Sequence, residues 1–95
     1  MRVSTYLQNE IVTVAEHAFG ECELVLFGSR LDENKKGGDF DIAVKKEITT
    51  EAFKKAKVAF FKHLLLKDLD LPIDLVLYSK ANKLLKNEID KGELL

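Results

Sequence analysis

Apolar residues recur along the chain at two different spacings, and the changes of spacing outline its elements. Residues 4–19 show the helical spacing, in which every third or fourth side chain falls on one face. The positions on that face are Leu7, Ile11, Val14, Ala15 and Ala18. Thr5 with Gln8 fits a capping box, and Gly20 is a natural stop. The first predicted element is therefore a helix.

Two segments with strand character follow this helix. Residues 24–27 form an uninterrupted apolar run, which is typical of a strand buried on both faces. In the second segment, Phe40, Ile42 and Val44 alternate with Asp39, Asp41 and Ala43, and this is the period of a strand. Between the two segments, residues 30–38 are polar and predict a short helical turn and a loop.

The second half predicts a helix, a strand and a further helix. Thr49 or Thr50 caps the first of these, whose buried positions are Phe53, Ala56, Phe60 and Leu64. Residues 73–78 alternate again as a strand. Ser79 then caps a final helix that ends at Gly92 and carries Ala81, Leu84, Leu85 and Ile89. This order predicts an α/β (α+β) fold, with a small mixed β-sheet of about three strands packed by helices.

Composition limits the size of the core and the kind of partner. A chain of 95 residues suits one domain spanning residues 1–95, and 46% hydrophobic with 33% charged residues is typical of a globular protein. A core of this size is modest, so a partner surface or a homo-oligomer would suit it. Lys and Arg number 15 against 16 Asp and Glu. This balance gives no electrostatic reason to expect direct nucleic-acid binding.

The chain carries no signal for membranes or disulfides. Cys22 is the only cysteine, so an intrachain disulfide is excluded. The N-terminal residues open into an amphipathic stretch without the apolar core of a signal peptide. The leucine run at residues 64–66 is flanked by charged residues and is far too short to span a membrane. The sequence predicts a cytoplasmic protein.

Gly28 and Ser29 come directly after the first predicted strand. Glycine allows a ligand to approach the backbone closely, and the free amides of a helix start favour phosphate oxygens. A Gly-Ser pair after a strand is, however, most often an ordinary turn. The dipeptide by itself therefore indicates a binding site only weakly.

Asp39 and Asp41 lie two residues apart on the second predicted strand, so both side chains project to the same side, about 6.5–7 Å apart along the backbone. Two carboxylates close to a core repel each other and lose solvation unless a cation compensates them. Magnesium with its oxygen ligands is the natural cation. The alternative is a strand that enters from solvent with both carboxylates on a wet face, and for this spacing alone it is the commoner case.

Asp74 is a single carboxylate within an apolar strand, which is costly unless it has a partner. If this strand pairs beside the strand of the first two carboxylates, all three converge and suit two metal ions. The alternative is an edge strand with the side chain in water, which the nearby Pro72 permits. Asp68 and Asp70 repeat the same spacing where a helix ends, and there they indicate solvated surface.

These pieces occur in a characteristic order: LFGSR at residues 26–30, GDFDIAV at residues 38–44 and IDLV at residues 73–76. The combination resembles the minimal nucleotidyltransferase family of the DNA polymerase beta-like superfamily. The resemblance covers nearly the whole chain and implies the polymerase beta-like nucleotidyltransferase fold.

The resemblance also implies roles for five residues. Gly28 and Ser29 would hold the triphosphate of a nucleotide, and Asp39 and Asp41 would ligate magnesium. Asp74 would complete the metal site and help to activate the acceptor hydroxyl. This hydroxyl would attack the α-phosphorus of ATP in line and expel pyrophosphate, with two magnesium ions stabilising the oxygens.

Arg30 and the pair Gly37-Gly38 lie next to these motif residues in the sequence. Arg30 is the usual companion of the Gly-Ser pair in the family and would neutralise phosphate charge, although a surface ion pair explains it equally well. Gly37 and Gly38 stand where many relatives have a serine before the first aspartate. This departure concerns the geometry of the loop and leaves the carboxylates in place.

Short members of this family resemble antitoxins that pair with a helical HEPN-domain toxin, and some of them adenylylate that partner on tyrosine. The resemblance thus implies a protein adenylyltransferase acting as the antitoxin of such a pair. The alternative is a catalytically silent antitoxin that neutralises its partner by stoichiometric contact. Transfer to an antibiotic or another small molecule is disfavoured, because the sequence offers no second domain to line an acceptor pocket.

Overall fold

The computed structural model describes residues 4–28, 40–69 and 71–95. Within these ranges it confirms the predicted order of helices and strands and adds a short strand after the last helix, and the predicted turn and loop at residues 30–38 lie outside them. The elements are α1 Thr5–Phe19, β1 Glu23–Phe27, β2 Phe40–Lys45, α2 Thr50–Leu66, β3 Ile73–Leu77, a 3₁₀ turn at Tyr78–Lys80, α3 Lys83–Asp90 and β4 Glu93–Leu94. The fold class is therefore the predicted one, a small mixed sheet packed by helices.

The four described strands form one sheet in the order β3-β2-β1-β4. β2 runs parallel to β3, whereas β1 pairs antiparallel with both β2 and β4. β4 joins β1 because Val25 pairs with Leu94 and Leu26 pairs with Glu93. A strand of two residues is too short to show a period, so the spacing of apolar residues does not predict β4.

Helices cover both faces of the sheet. α1 and α2 pack on one face, where the core includes Val14, Leu26, Ile42 and Phe60. α3 packs on the other face through Ile89, in a smaller cluster that also contains Val25, Phe27 and Ala43. This two-sided burial explains the uninterrupted apolar run of β1, as predicted.

The ends of the first two long helices follow ordinary capping rules. The hydroxyl of Ser4 accepts a hydrogen bond from the amide of Leu7 at 3.2 Å, so the cap of α1 is Ser4 and the predicted capping by Thr5 is wrong by one position. α1 ends at Gly20, as predicted, with a φ of 77°. Thr49 is the cap of α2.

The prediction for the start of the last helix is wrong. Ser79 lies in the 3₁₀ turn, and its Oγ has no hydrogen-bond partner among the described residues. Asn82 caps α3 instead, because its Oδ1 accepts from the amide of Leu85 at 2.8 Å. With this start, Ile89 is 1% exposed whereas Leu84 is 78% exposed. The prediction that Leu84 lies on the buried face of this helix is therefore wrong.

Lys46, directly after β2, ties the sheet to the end of α1. Its Nζ donates hydrogen bonds to the carbonyl oxygens of Phe19 at 2.7 Å and Glu21 at 2.9 Å. Carbonyl groups at the end of a helix lack partners within the helix and carry partial negative charge, so an ammonium group there is favourable. Nearby, partial burial raises the pKa of the Cys22 thiol, which packs against the main core.

We predict that Lys46→Met lowers the free energy of unfolding by about 1–2 kcal/mol, because two charge-assisted hydrogen bonds are lost while the aliphatic stem is kept. Urea denaturation followed by circular dichroism measures this change. Lys55→Met is the matched control, since Lys55 is exposed on α2 and should change stability by less than about 0.5 kcal/mol. Equal stability of the two variants would contradict the anchoring role.

Candidate active site

Asp41 and Asp74 are paired neighbours on the two parallel strands. Asp41 of β2 lies opposite Asp74 of β3 in the register of the sheet. Side chains alternate along a strand, so Asp41 shares the face of Ala43, and Asp74 shares the face of Val76. Both of these residues pack in the cluster beneath α3. The two carboxylates therefore leave the same face of the sheet, from strands about 4.8 Å apart.

Gly28, which follows β1, lies against the carboxylate of Asp41. Phe27, the last residue of β1, pairs with Asp41, and Gly28 follows with a φ of 80°. A Cβ built at Gly28 would overlap Oδ2 of Asp41 and lie 3.3 Å from its Cγ. Gly28 is thus required both for its left-handed backbone and for the close approach of the carboxylate.

The two carboxylates differ in exposure. Asp41 is half-buried between β1 and β3, whereas Asp74 is exposed on the edge strand. The edge position is the alternative that the sequence left open for Asp74, and it removes the cost of burial. Asp74 still lies beside Asp41 in the sheet. The two carboxylates therefore form an accessible pair at the start of β2 and β3.

Three predicted site residues, Ser29, Arg30 and Asp39, lie outside the described residues, and their roles stay predictions. Within the described ranges no group of three Asp, Glu, His or Cys side chains could hold a metal ion. Among the described residues, Asp41 and Asp74 are neighbouring carboxylates, and Gly28 lies against Asp41. Oxygen ligands of this kind fit a hard divalent cation such as magnesium, which binds through one or two carboxylates together with substrate phosphates.

On the face of the sheet beneath α3, at the end of β3 away from Asp74, a tyrosine ring lies between two lysines. Tyr78 lies beyond β3, and the Nζ atoms of Lys45 and Lys86 lie 4.7 Å and 5.3 Å from the centre of its ring. Its hydroxyl donates to Oδ1 of Asp90 at 3.0 Å, and this bond raises the pKa of the phenol. Tyr78 comes four positions after Asp74, about 13 Å along an extended strand. The ring of Tyr78 packs in the cluster beneath α3.

The two histidines and Asp68 lie on other elements than the carboxylate pair. His17 and His63 are exposed on α1 and α2, with ring centres 6.0 Å apart. Asp68 is exposed at the end of α2, in agreement with its interpretation as surface, and Asp70 lies outside the described residues. None of the described helices is long and apolar enough to span a membrane.

The sequence matches the family "Polymerase beta, Nucleotidyltransferase" over residues 9–95. This match covers most of the chain, and the chain belongs to that nucleotidyltransferase family. No curated protein shows significant sequence similarity to it.

Solved structures that share the fold include two of the toxin–antitoxin MntA-HpeT. One is a crystal structure of the toxin–antitoxin MntA-HpeT carrying a double Asp-to-Glu mutation, with 21% identity and a TM-score of 0.67 over 92% of this chain and 70% of that chain. The other is a different mutant of MntA-HpeT, with 24% identity and a TM-score of 0.65 over 93% of this chain and 69% of that chain. At these identities the likeness shows the fold alone.

We predict that Gly28→Ala destabilises the protein by about 1–3 kcal/mol and displaces the carboxylate of Asp41, because alanine is strained at a positive φ and its Cβ overlaps that side chain. Thermal unfolding without magnesium measures the loss of stability. Unfolding with magnesium tests the carboxylate, because a variant with a displaced Asp41 should lose any stabilisation by the ion.

Gly20→Ala is the matched control for this variant. Gly20 has a similar φ of 77°, but a Cβ there would meet only Nζ of Lys46, at 3.2 Å. The control should therefore lose stability and keep the wild-type response to magnesium. Loss of the response in both variants would show that strain alone is responsible, against the close-contact explanation.

Proposed function

We propose that the protein is a magnesium-dependent nucleotidyltransferase that moves AMP from ATP onto a hydroxyl of a partner protein. The observation that supports this most directly is the pair Asp41 and Asp74, which share one face of adjacent strands against Gly28 in a chain of the nucleotidyltransferase family. We further propose that the partner is a HEPN-type helical toxin and that this chain is its antitoxin, acting in the cytoplasm.

In this proposal the carboxylates hold the metal and Gly28 borders the nucleotide. Asp41 and Asp74, together with Asp39, would ligate magnesium, and Ser29 and Arg30 would contact the triphosphate. Bound magnesium would neutralise phosphate charge and polarise the α-phosphoryl group. The absence of a side chain at Gly28 lets the carboxylate of Asp41 lie against the backbone at the end of β1, where the triphosphate would bind.

The acceptor would reach the site from the edge of the sheet. Asp74 is exposed on β3, so a macromolecular hydroxyl can approach its carboxylate directly. Asp74 would accept the proton as the hydroxyl oxygen bonds to the α-phosphorus. The bond from this phosphorus to the bridging oxygen breaks at the same time, and pyrophosphate leaves.

Two points support a toxin as the partner. Two structures of similar fold are those of a toxin–antitoxin, MntA-HpeT. In one of them the two mutated aspartates are two residues apart, which is also the spacing of Asp39 and Asp41 in this chain. A partner that brings its own hydroxyl would also provide the acceptor surface that a small transferase domain needs.

We predict that magnesium stabilises the wild-type protein and that Asp41→Asn or Asp74→Asn removes this effect. At an ion concentration ten times the dissociation constant, the gain should be about 1.4 kcal/mol. Differential scanning calorimetry with and without magnesium measures it. Asp68→Asn is the matched control, because Asp68 is exposed after the end of α2 and has a φ of 62° that asparagine tolerates. A response that survives in both site variants would argue against a metal on these carboxylates.

We also predict that the protein transfers label from α-³²P-ATP to the product of a neighbouring toxin gene. Label on the γ-phosphate should stay off the protein, because it leaves with pyrophosphate, and this distinguishes AMP transfer from phosphorylation. The double variant Asp39→Ala with Asp41→Ala should lose transfer by at least about a thousandfold, since removal of the metal ligands removes the main stabilisation of the transition state. Wild-type protein that transfers no label, or a double variant that still does, would rule the proposal out.

Co-expression with the toxin separates enzymatic neutralisation from neutralisation by contact. Under the proposal, the double variant still binds the toxin but no longer protects the cells. Protection by this variant at the same expression level would instead favour the silent antitoxin that acts by stoichiometric contact.

A further inference from the structure

A groove runs along the outer edge of β3, on the side of this strand away from β2. Its volume is about 360 Å³, and residues 75–77 of β3 form its floor. Phe53 of α2 and Leu85 of α3 form the apolar walls, and Lys54, Lys57 and Lys80 form the rim. We call this feature the β3 groove. It lies beside the carboxylate site and contains neither Asp41 nor Asp74.

The floor of the β3 groove is a strand edge available for pairing. β3 is hydrogen-bonded to β2 and, in the part of the chain that the structure describes, to no strand on its other side. Alternate N–H and C=O groups of an edge strand point outward and can pair with another extended chain. This edge can therefore accept one more strand.

The side chains of the β3 groove suit such an added strand. Leu75 and Leu77 face the main core with Phe53, whereas Val76 faces the cluster that includes Leu85. The groove thus has an apolar wall on each side of the sheet. Successive side chains of an extended segment point to opposite faces, so one bound strand would contact both walls.

The charges at the rim indicate the chemistry of the occupant. Lys54, Lys57 and Lys80 surround the groove, and no acidic residue appears among its described lining side chains. None of the three lysines forms an ion pair with another described residue. Carboxylates of a bound segment would complement these ammonium groups. A second copy of this chain, placed edge to edge, would instead bring six lysines together, which is unfavourable.

We propose that the β3 groove binds an extended acidic segment of a partner protein, which adds to the sheet beside β3 and places its carboxylates near Lys54, Lys57 and Lys80. Main-chain hydrogen bonds hold the segment, and the lysines select its charge. The inference depends on the strand edge, the apolar walls and the lysines, and it is independent of nucleotide transfer.

A labelled peptide with the sequence Glu-Glu-Leu-Val-Leu-Glu-Glu tests this proposal by fluorescence anisotropy, because its central Leu-Val-Leu presents apolar side chains to both walls. We expect the full-length protein to bind it with an affinity that falls as salt is added, and the amide signals of Leu75, Val76 and Leu77 to shift in NMR spectra. The same peptide with lysine in place of glutamate should not bind. A peptide methylated on alternate backbone nitrogens should bind at least roughly tenfold more weakly, because it cannot pair as a strand.

Charge reversal on α2 locates the binding site. Lys54→Glu with Lys57→Glu should weaken binding of the acidic peptide roughly tenfold, whereas the control Lys55→Glu with Lys62→Glu changes net charge equally but lies on exposed positions away from the groove. Lys80→Glu is a second variant on a different element and should weaken binding in the same direction.

Three results would overturn the proposal: equal binding of the acidic and lysine peptides, equal weakening by the rim and control variants, or full binding of the methylated peptide. Self-association of the protein that Lys80→Glu alters would assign the groove to a second copy instead. The variant Asp39→Ala with Asp41→Ala should bind the peptide as the wild type does, so a failure of nucleotide transfer and a failure of groove binding are distinguishable.

Discussion

The parallel pairing of β2 with β3 is the interaction on which the site depends. In the observed register Asp41 lies beside Asp74 on one face of the sheet. A slip of one residue would send the two carboxylates to opposite faces. The register is held by burial, because Ile42 and Leu75 pack on the side of α1 and α2 while Ala43 contacts the cluster beneath α3. Packing far from the carboxylates thus positions them.

Burial of both faces also decides where polar chemistry can occur in this small fold. The middle of each main strand is apolar on both sides, so charged groups are confined to strand ends and to the edge of the sheet. Asp41 and Asp74 take the start of the parallel pair, and Gly28 takes the end of β1. The edge position of β3 leaves Asp74 accessible and at the same time provides the floor of the β3 groove.

Charge is balanced over the whole chain and separated locally. The formal net charge is -1, yet two carboxylates meet at one end of the sheet and three lysines surround the edge of β3. The total charge excluded a broadly basic surface and carried no information about this separation. A pair of neighbouring carboxylates and a basic rim can therefore coexist on adjoining parts of one sheet.

The sequence by itself determined the order of the elements, most of their bounds and the family, because helix and strand periods and the Gly-Ser and Asp-x-Asp patterns are local. It predicted the stop at Gly20 and the two-sided burial of β1. Only the tertiary structure decided the register of Asp41 with Asp74, the contact of Gly28 with Asp41, the start of α3 at Lys83 and the pairing of β4. These features depend on packing between segments distant in sequence, and no local spacing encodes such contacts.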